Sequence, residues 1–378
     1  MEAKNINSSK LESLTFLRFV AASVVVIFHY GGDTDLKQYL PQILLSGPIM
    51  VTFFFVLSGF VISISHYGRD VSVSQFYLNR IARITPVYLL ALFLFLLLTE
   101  RSMHSYGVLL SATFMQAWIP GYALVENSPG WSISVEMFFY AIAPAMILLA
   151  NVQADRKVAK WFAASILVWV LSQAVLAELN RPPFYVSFPS PAHDLINYFP
   201  ISHLCSFILG FFGGVAFKEG ALQNLRPSLA AMFFMASCVF AGLVFSNRPY
   251  IDALFGTTFA YGSGFFSVIF LPVIFFCARA DKILSRFLAV PVVVLAGEAS
   301  YSLYILQMPV EALFKKLGLS SIFDGENLSF ALYFVFLFSI SVATYLLLEK
   351  PLASKIKGLF KRGPLMRGTR SRREEAVE

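Results

Sequence analysis

Leu14–Tyr30 reads LTFLRFVAASVVVIFHY, an apolar run of membrane-helix length that carries an arginine and a histidine. At about 1.5 Å rise and 100° per residue, Arg18 and His29 lie about 16 Å apart along the axis and nearly on one face, with Ala22 and Val25 between them. Ionisable groups at hydrocarbon depth cost several kcal/mol by insertion scales, so they face a bundle interior or a wet cavity and mark function. The competing reading is an arginine snorkelling from one helix end and an interfacial histidine at the other.

Working outward, the whole chain shares this character. Hydrophobic residues make up 57% of the 378 and charged residues 13%, and the mean hydropathy is +0.70; soluble domains carry about 25% charge. The expected fold is all-α and polytopic, with about ten transmembrane helices over Leu11–Tyr30, Ile43–Ser65, Ile84–Thr99, Trp131–Ala150, Ala159–Ala177, Phe199–Phe217, Pro227–Phe245, Leu254–Cys277, Val290–Phe314 and Leu328–Leu348. Gly107–Trp118 is too short to cross and reads as re-entrant or interfacial. Residues 1–350 form one membrane-embedded domain, and 351–378 a basic, disordered tail attracted to anionic lipid.

The net charge of +7 lies in short loops and the tail rather than in a block, which argues against nucleic acid as a partner. The N-terminus, the even-numbered loops and the tail hold 22 of the 29 basic residues, the odd-numbered loops 6, and Arg18 lies within a span. That split places both termini in the cytoplasm, His29 near the outer face and Arg80 near the inner one. Cys205, Cys238 and Cys277 are isolated and read as small buried side chains; no metal-ligand spacing is present. Pro48, Pro144, Pro272 and Pro309 are expected to kink or break their helices, and Gly210-Phe-Phe-Gly-Gly214 to allow close helix approach.

Further polar positions gather around the first span. In SPGWSISVEMFFY, Ser132, Glu136 and Tyr140 repeat at i, i+4 and i+8 below Trp131, and Glu136 is expected at the depth of His29, where a carboxylate would orient the imidazole for general-base or nucleophilic work. Arg80 and Arg83 of FYLNRIARITPVY, read as a cytoplasmic loop before a proline-opened span, are spaced to clamp a phosphorylated ligand or to anchor the membrane edge. Ser58 of FFFVLSGF offers a polar point beside a glycine. Glu298, Tyr301, Ser302 and Ile305 of GEASYSLYI share a face in the ninth span. His66, His104, His193 and His203 read as interfacial.

Taken in order, Arg18 and His29 in the first span, FFFVLSGF, RIARITPVY, WSISVE with FFY, SYSLY before a proline, and LEKP at the last span resemble acyltransferase family 3 of bacterial integral membrane O-acyltransferases. The resemblance runs from Arg18 to Pro351 and implies a multi-pass protein of the bacterial inner membrane, with no resident cofactor, that moves an acyl group from cytoplasmic acyl-CoA, usually acetyl-CoA, to an envelope carbohydrate or lipid-linked glycan. By motif position it implies His29 and Glu136 as catalytic and Arg18, Arg80 and Arg83 as donor-binding; the polar positions read above, Ser58, Trp131, Ser132, Glu298 and Tyr301, are the substrate-binding candidates. Met137, where members often carry a second acidic residue, and Gln307, where they often carry a histidine, depart from the pattern and point to an atypical acceptor. Surrounding lipid and a second copy of the chain are further expected partners. The rival is a transporter or flippase of an envelope precursor, since intramembrane charges also line transport pathways, although no internal repeat supports it.

Overall fold

The computed structural model describes residues 11–32, 34–35, 47–99, 105–152, 158–288 and 290–361, with side chains to 356. Both termini lie outside these residues, as do Lys4, Lys10, Lys37, Arg101, His104, Arg156, Lys157 and the tail from 362 onward. Among the described residues the chain is helical without strands. Its helices are α1 (Glu12–Tyr30), α2 (Gly47–His66), α3 (Val73–Leu98), α4 (Ser105–Ala112), α5 (Gly130–Val152), α6 (Val158–Leu179), α7 (Pro191–Asn197), α8 (Leu204–Lys218), α9 (Pro227–Ser246), α10 (Arg248–Phe255), α11 (Ser267–Leu288), α12 (Pro291–Glu298), α13 (Ser300–Lys316), α14 (Glu326–Thr344) and α15 (Lys350–Lys361).

Eight helical stretches are long and apolar enough to cross a bilayer: α1, α2, α3, α5, α6, Pro191–Lys218, α9 and Glu326–Ile356. Two of the ten expected spans do not meet that measure. The ninth is interrupted at Ala299, between α12 and α13, and α13 is 17 residues long. The eighth, expected over Leu254–Cys277, is not one helix: α10 ends at Phe255, the chain breaks, and α11 begins only at Ser267 and carries Arg279, Asp281, Lys282 and Arg286 in its second half. At the break Gly264 adopts φ +94°, which favours glycine. The freed carbonyls are taken up by neighbours: Trp169 Nε1 donates to Gly264 O at 2.8 Å, Gln173 Nε2 to Ser263 O at 3.2 Å and Thr52 Oγ1 to Gly262 O at 3.1 Å. Irregular backbone at membrane depth is tolerated where protein groups satisfy it in this way.

Helix α3 also departs from expectation. It starts at Val73, where the Ser72 hydroxyl accepts from the Gln75 N–H, and runs through Pro86 without ending. The stretch RIARITPVY is therefore helix interior rather than loop, and Arg80 and Arg83 project from a rigid element. Pro144, Pro272 and Pro309 likewise lie inside α5, α11 and α13, whereas Pro48 sits in the first turn of α2, where proline fits. Helicity continues through α15 to Lys361, past the point where disorder was expected to begin.

The bundle is organised by α2 and α8, the most extensively packed pair, with α1 lying against α2, α11, α12 and α13, and α3 against α13 and α15. Gly59, Gly210 and Gly214 let α2 and α8 approach closely: a Cβ at Gly210 would come 2.0 Å from Val56 O, at Gly214 2.0 Å from Ser63 Oγ, and at Gly59 2.2 Å from Phe207 O. The GxxxG is thus the contact surface of α8 on α2. Without water to drive association, such van der Waals packing holds membrane helices together.

Gly210→Ala is expected to lower the thermal midpoint in detergent, since overpacking costs about 1–3 kcal/mol, whereas Gly325→Ala, with no heavy atom within 4 Å of the added Cβ, should leave it unchanged. Equal midpoints for the two variants would remove the α2–α8 contact from the account.

Candidate functional site

One cavity between α1, α2, α3, α5 and α13 is lined by Arg18, Ser58, Arg80, Arg83, Ser132, Glu136, Tyr140, Tyr301 and Tyr304. The i, i+4, i+8 stripe of Ser132, Glu136 and Tyr140 faces it as the helical period requires. Glu136 Oε1 accepts from Ser58 Oγ at 3.2 Å and from the Tyr140 hydroxyl. Ser132 Oγ and the Tyr304 hydroxyl share a hydrogen bond of 2.8 Å, and Tyr301 OH donates to Ile84 O on α3 at 2.9 Å. The polar groups of three helices are thereby held by their own network.

The three guanidinium groups are not held in that way. Among the described residues no carboxylate lies within 4 Å of Arg18, Arg80 or Arg83. Arg80 rests over the Phe76 and Tyr140 rings, with its Cζ 5.4 and 5.7 Å from their centroids, and its buried Nε has no hydrogen-bond partner. Glu136 and Glu349 act on Arg18 through space, and Arg83 and Arg18 act on Glu349. Glu349, from LEKP, is itself buried and accepts from Ser302 Oγ at 3.1 Å. Three cations thus converge with two carboxylates set back from them. Arginines brought together in this way suit a multiply charged anion, which each can meet with a planar fork of N–H donors.

His29 is elsewhere. It is exposed at the C-terminal end of α1, about 16 Å along the axis from Arg18. Its Nδ1 is 2.7 Å from Gln307 Oε1, so the expected pairing with Glu136 is not present. The groups do not meet because the start of α5, not its interior, faces the turn of α13 that carries Gln307. The preceding turn, with Glu126, Asn127 and Pro129 buried, is seated on α13, where Asn127 Nδ2 donates to Ile305 O at 3.0 Å and Ser128 N approaches Met308 Sδ at 3.2 Å. Glu136, about 9 Å along α5 from Gly130, therefore lines the cavity with Tyr301 and the arginines.

Of the remaining candidates, Trp131 is buried in the aromatic core, its ring 5.3 Å from His203 and 5.1 Å from Tyr198. Glu298 accepts from Tyr345 OH at 2.5 Å and, across the break at Ala299, does not continue the helix of Tyr301. His203, expected at an interface, is fully buried between Trp131 and Phe55, and its Nε2 is 3.0 Å from Asn197 O. Tyr304 lines the cavity, Gln307 meets His29 and Glu349 acts on Arg18 through space; none of the three was among the expected site residues. Tyr301, Tyr304 and Gln307 follow at three-residue steps along one side of α13, a spacing readable in the sequence.

Because Glu136 is shared by two hydroxyl donors in a buried cavity, Tyr140→Phe leaves the carboxylate one partner short. It is expected to cost about 1–3 kcal/mol, read as a lower thermal midpoint in detergent. An unchanged midpoint would mean that water replaces the hydroxyl without loss.

A family model described as an acyltransferase domain matches residues 11–348. "Acyltransferase MdmB" of Streptomyces mycarofaciens is 32% identical over 254 residues, covering 60% of this chain. The chain spans 63% of that relative's length. No solved structure matches. From Arg18 to Tyr304 the residues that line the cavity fall within the matched region, and the chain belongs to acyltransferase family 3.

Proposed function

We propose that the protein is an acyltransferase of the bacterial inner membrane. It takes an acyl group, acetyl in the simplest case, from cytoplasmic acyl-CoA and passes it to a hydroxyl of an envelope carbohydrate, a lipid-linked glycan or a related acceptor at the outer face. The observation that carries this reading is the convergence of Arg18, Arg80 and Arg83 on one cavity with no carboxylate within 4 Å among the described residues. Acyl-CoA offers phosphates for such a set, and in the orientation given by the basic residues the arginines lie toward the cytoplasm.

On this reading Arg80 and Arg83, one turn apart on α3, grip the phosphates, and Arg18 meets the donor from α1. The pantetheine arm runs outward past Glu136, Ser58 and Ser132, where the carboxylate accepts from its amide N–H groups. Its thioester reaches the level of His29. There the imidazole removes the acceptor hydroxyl proton as the oxygen attacks the thioester carbonyl, so that a C–O bond forms, the C–S bond breaks, and the departing thiolate takes the proton from the imidazolium. Glu136 serves donor binding, and His29 serves the chemistry.

Replacing both Arg80 and Arg83 by Ala should raise KM for acyl-CoA by roughly 10- to 100-fold, since hydrogen bonds between charged groups contribute about 1.5–3 kcal/mol, with kcat little changed. Unchanged donor dependence would reduce the arginines to membrane anchors. Acyl-CoA binding by the purified protein also separates this reading from a flippase, which has no use for the donor.

His29→Ala should abolish transfer while the protein still accumulates in the membrane. Because Glu136 and His29 occupy different subsites, the loss in Glu136→Gln and a partial loss in His29→Gln should multiply in the double variant, as independent free energies add. A double variant no worse than His29→Gln alone would mean that the two act as one unit after all.

A further inference from the structure

The geometry around Gln307 decides a property of His29 that the distance between them leaves open. Gln307 Nε2 donates to the backbone carbonyl of Tyr304 at 2.6 Å. A carbonyl only accepts, so the NH₂ of this amide must face Tyr304 and its oxygen must face the imidazole. The oxygen only accepts too, and the His29 Nδ1 that stands 2.7 Å from it therefore carries a proton. The backbone of Gln307 is fixed in turn: its carbonyl accepts from Tyr333 OH at 2.9 Å, and the residue is fully buried.

We infer that Gln307 is the positioning residue for His29, holding the imidazole in its Nδ1–H tautomer so that Nε2 presents the lone pair to the acceptor hydroxyl. The inference rests on the catalytic reading of His29 given above. It assigns to a neutral amide the task usually taken by a carboxylate, that of fixing tautomer and ring orientation. Nε2 makes no hydrogen bond among the described residues and belongs to an exposed side chain. The titratable groups around the C-terminal end of α1 are Tyr30 on the same helix, Tyr333 on α14, whose rings lie 5.0 Å apart, and Glu311 on α13, which is paired with Lys315. None of these contacts an imidazole nitrogen among the described residues, so Gln307 alone directs the ring.

The same amide joins the two halves of the site. Tyr304, whose carbonyl orients Gln307, lines the arginine cavity and hydrogen-bonds Ser132 through its hydroxyl. A donor threaded past Tyr304 thus passes within one helical turn of the group that aims the base.

Nitrogen NMR of protein labelled with ¹⁵N-histidine separates the two neutral tautomers, and His29 is assigned as the signal missing from His29→Ala. The expected wild-type spectrum shows His29 protonated at Nδ1, a measurement that needs no Gln307 variant. In Gln307→Met, of similar length and without an acceptor, the His29 signal should move toward a mixture of tautomers. In the same variant kcat should fall by about tenfold or more, part of the roughly 10²–10⁴-fold that a positioned base contributes, with KM for acyl-CoA unchanged. A wild-type His29 protonated at Nε2, or a spectrum and kcat indifferent to Gln307→Met, would overturn the inference. Full activity in His29→Ala would instead defeat the catalytic reading, leaving the spectra to decide the tautomer by themselves.

Discussion

Three guanidinium groups inside an apolar bundle set the terms for the rest of the structure. Arginine stays charged at any physiological pH, and a charge in a low-dielectric interior demands partners. Here the partners are indirect: aromatic faces under Arg80, and Glu136 and Glu349 acting through space without an ion pair within 4 Å among the described residues. The cavity sets these polar groups in a largely apolar wall, and its own hydroxyls are engaged with Glu136, with one another and with backbone carbonyls. Such a set is prepared for an anion that brings more than one negative charge.

The scaffold keeps this arrangement from closing on itself. Glycines seat α8 directly on the backbone of α2, which fixes the helix that carries Ser58 and Phe55. The extension of α3 down to Val73 gives Arg80 and Arg83 a helical base. On the far side α13 meets α1, α3 and α14, and the residues along its stripe have distinct partners: Tyr301 reaches α3, Tyr304 reaches α5, and Gln307 reaches α1. A single helix thereby ties the cationic cavity to the imidazole.

Two departures from helical regularity also serve position. The break between α10 and α11 is stable because Trp169, Gln173 and Thr52 supply the donors that its carbonyls would otherwise lack. The start of α5 is held by the turn before it, which is packed on α13. From that start the helix carries Glu136 in among the arginines.

Much of this was legible in the chain itself. An apolar composition with scattered charge dictates a helical membrane protein, because no other open structure satisfies its backbone in lipid. The 3.6-residue period put Ser132, Glu136 and Tyr140 on one stripe, and the intramembrane Arg18 announced a wet interior. What the period cannot supply is the partner that each stripe faces. Ser58 meets Glu136 across 78 residues of sequence, and His29 meets Gln307 across 278. Those meetings depend on helix rotation, on depth and on where each helix starts, which close packing between distant segments decides. The chain's own residues settled the helical membrane class and which side chains share a helical face. Only the tertiary structure decided that the carboxylate belongs with the arginines and the amide with the histidine, because a helix's own hydrogen bonds are local and the pairing of its faces is not.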